Sequence, residues 1–228
     1  MNGISIIIPA LNEADNLPRL FDYLKANSSR KIIKEIIVVD GGSTDNTLQI
    51  VKEQNDIVLL QSEKGRAIQM NTGAKKAKGS ILYFLHADSF PPANFDELIL
   101  SVTADGGCFR LKFDQPNSIW LKIAPWFTQF GSFLFRGGDQ SLFINAKVFE
   151  ELGGYDERYE VYEDIEFVNT FKEEFEFVIL KQFLTTSSRR FRENGTFRLY
   201  IHFLIVHVKA WLGQSPESLT KYYRKHIK

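Results

Sequence analysis

Ile36-Ile37-Val38-Val39-Asp40-Gly41-Gly42-Ser43-Thr44-Asp45 is the stretch on which the reading of this chain turns. An apolar, β-branched run ends in a carboxylate, two glycines and small polar residues. The helical spacing of Thr47, Leu48 and Val51 follows at once. The pattern predicts a buried strand over Glu35–Val39 that delivers Asp40 to a turn at its carboxyl end, where open α/β sheets hold their ligands. Gly41 and Gly42 let the backbone approach a ligand or take positive φ, and Asp45 is placed to cap the next helix. A carboxylate there suits a ribose hydroxyl or a base-edge N–H better than a phosphate. Taken alone, the segment reads as an ordinary strand-to-helix turn with a capping Asp; the rest of the chain shifts that reading.

Upstream, Ile4–Ile8 is a continuous β-branched run of the kind buried on both faces of a parallel sheet, and Pro9 is expected to close it. Asn16 is a candidate N-cap, with Pro18 in the first turn and Leu17, Leu20, Phe21 and Leu24 at helical spacing. Downstream, the predicted order is a helix over Asp45–Gln54, a strand over Ile57–Leu60, a helix over Arg66–Ala77 and a strand over Ile81–Leu85. Strands alternating with helices predict a mostly parallel sheet with right-handed crossovers. The second half changes character. Gly106–Phe113 and Ser141–Ile144 read as strands, Asn117–Arg136 is aromatic and sparsely charged, and Asp164–Lys172 reads as a helix. Two helices are expected to end the chain, Thr196–Leu212 and Pro216–Lys225, the second with Ser215 as N-cap. The organisation expected is one α/β domain over 1–228: a nucleotide-type half (1–90), an acceptor-type half (91–195) and a C-terminal helical appendage (196–228).

Composition narrows the function classes. The 228 residues suit one sizeable domain, and 44% hydrophobic with 25% charged residues is globular. Lys plus Arg and Asp plus Glu both total 28, so there is no basic excess of the kind nucleic-acid binding needs, and no nucleic-acid partner is expected. The single cysteine, Cys108, excludes internal disulfides and cysteine-rich metal sites. The start of the chain lacks a basic leader and cleavage site, and no long uncharged run exists, so the cytoplasm is the expected compartment.

Four polar clusters fall where strands end or helices begin: Pro9 to Glu13, Asp40 with its glycines, His86-Ala87-Asp88, and Glu163-Asp164. Any one is ordinary, because acids favour helix N-termini. Three at successive strand ends are less so, since that edge is where ligands sit. In sequence these clusters read IIIPALNE, IIVVDGGSTDNT, GRAIQMNTGAKKAKGSILYFLHAD and YEDIEF, with GGDQSLF between the last two. In this order they resemble the GT-A-fold, inverting family-2 glycosyltransferases, from Ile4 to the Ser188–Arg190 cluster. More narrowly they resemble a compact subgroup with HAD in place of D-x-D and a SPESLTKYY-like final helix, often named for arsenosugar biosynthesis.

The resemblance implies Pro9, Asn12, Glu13, Asp40, Gly41, Gly42 and Ser43 around the nucleoside, with Asp40 on the base and ribose. It implies Lys64, Gly65 and Arg66 facing the diphosphate and Asp139 and Gln140 holding donor sugar and acceptor. Asp88 is implied as the ligand of Mn²⁺ or Mg²⁺, His86 as a neighbouring donor to metal shell, ribose or sugar, and Asp164 with Glu163 as the general base. Arg189 and Arg190 echo an arginine-bearing segment over the diphosphate, with a surface basic cluster as the other reading. The implied reaction moves a sugar, most naturally UDP-linked, to an acceptor hydroxyl. The alternatives are transfer to a polyprenyl phosphate at the inner membrane face and a nucleotide-binding module without turnover, the latter suggested by His86 replacing the first acid. A nicotinamide enzyme is disfavoured, because no G-x-G-x-x-G follows the first strand.

The helix Thr196–Leu212 is apolar nearly all round apart from Arg198, His202 and Lys209, with His207 opposite. Such a helix is expected to pack inside something: the core, a homo-oligomer partner, or a membrane surface contacted peripherally, together with Trp120, Trp126, Phe127, Phe130, Phe133 and Phe135. His207 reads as a satisfied core histidine.

Overall fold

The computed structural model describes residues 3–29, 31–116 and 141–227. Strand β1 (Ile4–Ala10) is buried at every position, as a β-branched run covered on both faces must be. It lies between β2 (Ile33–Asp40) and β4 (Ile81–Phe84), parallel to both, and β2 pairs parallel with β3 (Ile57–Gln61). Helices α1 (Leu17–Asn27), α2 (Thr47–Lys52) and α3 (Arg66–Ala74) make the crossovers. Alternation along β1 divides the core. Ile4, Ile6 and Ile8 pack with Leu17, Leu20, Phe21 and Leu24 of α1, while Ile7 packs with Ala67 and Met70 of α3 on the other face.

Beyond β4 the sheet is mixed. β7 (Leu142–Asn145) runs antiparallel to β4 and to β6 (Gly106–Phe113). β6 runs parallel to β8 (Phe177–Thr186), and β8 pairs antiparallel with the two-residue β5 (Ser89–Phe90). The order is β3-β2-β1-β4-β7-β6-β8-β5. The remaining helices are α4 (Phe95–Leu100), α5 (Ala146–Glu151), α6 (Glu163–Glu174), α7 (Arg189–Asn194), α8 (Thr196–Trp211) and α9 (Pro216–His226).

The elements expected from sequence form, with corrections. Pro9 does not close β1: it sits opposite Val39 inside the ladder, and Ala10 still pairs with Asp40, because a proline removes only its own donor. α2 and α3 are shorter than expected, and the mostly parallel sheet is parallel only through β3-β2-β1-β4 and for the β6–β8 pair. Asn16 precedes α1 but does not cap it; its side-chain amide donates to Glu13 Oε2 at 2.6 Å instead. Ser215 does cap α9, accepting from the Ser218 N–H. Strand β8 has no counterpart in the sequence reading. Gly138, Asp139, Gln140 and the aromatics between Trp120 and Phe135 lie outside the described residues.

The domain covers α8 on one side only. Leu199 is buried against Phe191, Tyr223 and Ile227, and Val206 is buried too, but Phe197, Ile201, Leu204, Val208 and Trp211 are exposed. His207 is buried, and its Nδ1 lies 3.3 Å from the Tyr162 hydroxyl, so the core-histidine reading fits.

Candidate active site

The parallel register aligns the carboxyl ends of β2, β1 and β4: Ala10 lies opposite Asp40, and Ile7 opposite Phe84. The loops after these strands therefore share one edge of the sheet, and α3 starts from that edge after β3.

The first two loops are laced together. The Asn12 N–H donates to Ser43 Oγ at 2.8 Å, and the Asn12 side-chain oxygen accepts from the Thr44 N–H at 2.8 Å. The Glu13 N–H donates to Thr47 Oγ1 at 2.8 Å. Asp45 accepts from the Thr47 and Ala14 N–H groups, so it ties the helix start to the neighbouring loop. These contacts, the Thr47 side chain first, hold its carboxyl below the usual range. Asn12 takes φ 56, an αL conformation that Asn tolerates better than most residues.

Asp40 is fully buried, and its Oδ2 accepts from the Gly42 N–H at 2.9 Å and the Ser43 N–H at 3.1 Å. Its oxygens thus hold the amides of its own loop. Both glycines have work there. Gly42 has φ 92, and a Cβ on Gly41 would come within 2.9 Å of the Gln69 side chain. Buried Gln69, on α3, donates to the Ala10 and Val39 carbonyls at 2.8 Å each and so clamps the ends of β1 and β2. Sequence reasoning missed Gln69. Its only signal was a polar residue on the buried face of an amphipathic helix.

His86 and Asp88 follow β4 and are half-buried. Ser89 Oγ contacts Asp88 Oδ1 at 3.4 Å and Thr186 Oγ1 at 3.0 Å. The β5–β8 pairing brings Thr186, with Ser187 following it, alongside the end of the His86–Asp88 loop, although about a hundred residues of sequence separate them. Ser188 is held by Asp114, whose Oδ1 accepts from both its N–H and its hydroxyl at 2.9 Å. Burial pushes the Asp114 carboxyl up, but those two hydrogen bonds, with the Gln115 N–H and the Arg192 charge, together hold it below its usual value. Arg189 and Arg190 open α7 and are exposed, as is Lys64. Among the described residues no group of three His, Cys, Asp or Glu could hold a metal on its own.

Glu163 and Asp164 open α6, after Tyr162 in αL with φ 78. The Arg66 Nε lies 2.6 Å from Glu163 Oε1, and its NH2 lies 3.9 Å from Asp164 Oδ2. This ion pair joins the start of α3 to the start of α6 and brings the sequence-predicted Arg66 onto the acidic pair. Glu163 is completely buried, whereas the Asp164 side chain is 17% exposed. Tyr155, also missed in the sequence, is buried beside them. Burial first, then the charges of Asp164 and Glu163, push its hydroxyl well above the ordinary value. It is fixed from behind: its N–H donates to the Asn71 side chain, and its carbonyl accepts from Asn71, at 2.9 and 2.8 Å.

The fold has counterparts among solved structures. S. aureus TarS 1-349 in complex with UDP superposes with a TM-score of 0.67 at 18% identity, covering 91% of this chain and 65% of that one. The UDP-GlcNAc complex of the same protein gives 0.65 at 21% identity, over 82% and 59%. In sequence, Glycosyltransferase AglE of Haloferax volcanii is 30% identical over 124 residues, 50% of this chain and 41% of that protein. Poly-beta-1,6-N-acetyl-D-glucosamine synthase of Staphylococcus aureus is 33% identical over 94 residues, 39% and 22%. The chain thus matches less than half the length of these curated relatives. Residues 5–146, which include the Asp40 turn, Arg66 and the His86–Asp88 loop, match the description "Glycosyl transferase family 2", and the chain belongs to that family.

Proposed function

We propose that this protein transfers a sugar from a nucleoside diphosphate donor, UDP-linked by preference, to an acceptor hydroxyl with inversion at the anomeric carbon. The observation that carries the reading is the Arg66–Glu163 ion pair. It draws an acidic helix start from the second half of the chain to the sheet edge that already holds the Asp40 turn and the His86–Asp88 loop. The UDP and UDP-GlcNAc named with the TarS structures support the choice of donor.

In this reading Asp40 acts through the loop it organises. With its carboxylate holding the Gly42 and Ser43 amides, the turn presents Ser43 and the interlocked Asn12 to the nucleoside, beside Pro9 and Glu13. Lys64, Arg189 and Arg190 supply exposed cations for the diphosphate, as guanidinium forks suit phosphate oxygens. Asp139 and Gln140 stay assigned to donor sugar and acceptor.

Of the two acids, Asp164 is the base: it is reachable from solvent, while Glu163 is buried and bound by Arg66. The acceptor oxygen attacks the anomeric carbon as its proton passes to an Asp164 oxygen. The bond from that carbon to the diphosphate oxygen breaks, and the diphosphate leaves with the electron pair. Arg66 positions the pair by fixing Glu163.

Since the described residues offer no three-ligand cluster, a divalent cation here would be of the kind held by one or two carboxylates, with phosphate oxygens and waters supplying the other ligands. Asp88 would hold it, His86 standing close by, and it would supply charge neutralisation of the departing diphosphate.

Calorimetry of UDP with and without Mn²⁺, followed by proton NMR of the product's anomeric centre from a screen of hydroxyl acceptors, tests the proposal. Metal-enhanced UDP binding that Asp88→Ala abolishes, and inverted product, are expected. Retention of configuration would sink the displacement scheme, and metal-independent binding unchanged by Asp88→Ala would sink the cation assignment.

A further inference from the structure

The exposed side of α8 has no role in the proposed transfer. Phe197, Ile201, Leu204, Val208 and Trp211 recur at alternating four- and three-residue steps, and Leu212 extends the row past the helix end. At about 100° per residue they form one stripe along a helix of roughly 24 Å. Phe197 at one end is 71% exposed and Trp211 at the other 80%. The opposite side of the same helix, Leu199 and Val206, is buried in the domain. A helix apolar on both sides and covered on one leaves a surface that water does not favour.

Charge decides between occupants. Residues 196–227 carry five lysines and arginines and one acid, in a chain whose total is balanced. α8 itself contains no acid, and Arg198 and Lys209 flank one border of the stripe. The four-three spacing also suits a coiled-coil seam, but the helix spans little more than two heptads, and a second copy would bring only cations to the cations of the first. An anionic surface complements the borders and accepts the apolar stripe, with Phe197 and Trp211 at interfacial depth. No described helix is long and apolar enough to cross a membrane.

We propose that α8 docks this protein on the surface of an anionic lipid bilayer, lying in the interface with the Phe197–Trp211 stripe inserted and the basic C-terminal unit facing the headgroups. The proposal is independent of the transfer reading, since none of these residues belongs to the candidate site.

The test is flotation of the full chain with phosphatidylcholine vesicles, with and without phosphatidylglycerol at a mole fraction of about one third. Binding to the anionic vesicles, and much less to the neutral ones, is expected, weakening as salt is raised. Phe197→Gln combined with Trp211→Gln should reduce binding at least about tenfold, because two large apolar side chains no longer leave water. Arg198→Gln should reduce it about fivefold. All three positions are exposed, so thermal unfolding should be unchanged. Failure to bind anionic vesicles, or binding indifferent to the paired substitution, overturns the proposal. So does a concentration-dependent dimer in sedimentation that the same pair dissolves, which would make the stripe a seam between two copies.

Discussion

Replacing Arg66 by Leu removes the one cation among the described residues that pairs with the completely buried Glu163 carboxylate. Glu163 has no exposed surface, and among the described residues neither of its oxygens has a hydrogen-bond partner that meets normal geometry, so the 2.6 Å ion pair is what compensates its burial. Breaking a buried pair from one side costs about 3–5 kcal/mol, because the remaining charge keeps its desolvation penalty. Arg66 is 31% exposed, and water can enter as its side chain is shortened, so the lower end, about 3 kcal/mol, is expected here. For a domain of this size that is a fall in Tm of roughly 6–12 °C. Removing both charges, Arg66→Leu with Glu163→Leu, should recover most of the loss, since two apolar side chains have no stranded charge between them. Urea unfolding at neutral pH, followed by far-UV circular dichroism, reads the four corners of the cycle. The single variant should lower the midpoint with an unchanged slope, and the double should sit closer to the parent than the single does. An Arg66→Leu protein within 1 kcal/mol of the parent, or a double variant whose loss is the sum of the singles, would refute the argument that this pair anchors α6 to the sheet edge.

Asp164→Asn should lower transfer by about 10² to 10⁴ while leaving UDP affinity nearly unchanged, because the amide keeps the shape but cannot take a proton; unchanged turnover would move the base elsewhere, with Glu163 next to test. Asp40→Ala leaves the Gly42 and Ser43 amides without their acceptor and should cost about 1–3 kcal/mol of stability, with weaker UDP binding as a consequence; weaker binding at full stability would mean that Asp40 touches the nucleoside itself. His207 has its pKa lowered by burial, so below about pH 6.5 the unfolded chain takes up a proton that the folded one resists. Its contribution is complete above that pH and is lost as pH falls toward the depressed folded value, with a slope of at most about 1.4 kcal/mol per unit. Its hydrogen-bond neighbour Tyr162 has its own pKa raised by burial and stays neutral throughout. His207→Phe should flatten this part of the stability profile in urea titrations from pH 7.5 to 5; an identical profile would show that His207 does not titrate differentially.

Local pattern alone determined the first half of the molecule. The runs Ile4–Ile8, Ile36–Val39 and Ile81–Leu85 could only be strands covered on both sides, and the polar residues after each had to emerge at one edge once the strands lay parallel. The capping role of Ser215 was equally legible, because a cap is a contact between near neighbours in sequence, whereas Asp45 sits one residue before the N-cap Asn46 and accepts from the Thr47 N–H from there. The rest needed the folded chain, because it depends on which distant segments meet. Nothing in YEDIEF announces that Glu163 is buried against Arg66 while Asp164 stays open, and that difference separates a positioning acid from a base. That the Asp40 carboxylate holds the Gly42 and Ser43 amides is a matter of side-chain direction, which composition at a strand end does not decide. β8 carries apolar and polar residues without clean alternation, its register to β6 shifts between Leu180 and Phe183, and only its pairing with β5 sets Thr186 and Ser187 beside the end of the His86–Asp88 loop. The apolar character of α8 was plain from the sequence. Which of its faces the domain covers was not, since periodicity gives the spacing of a stripe, whereas only packing assigns each stripe a neighbour.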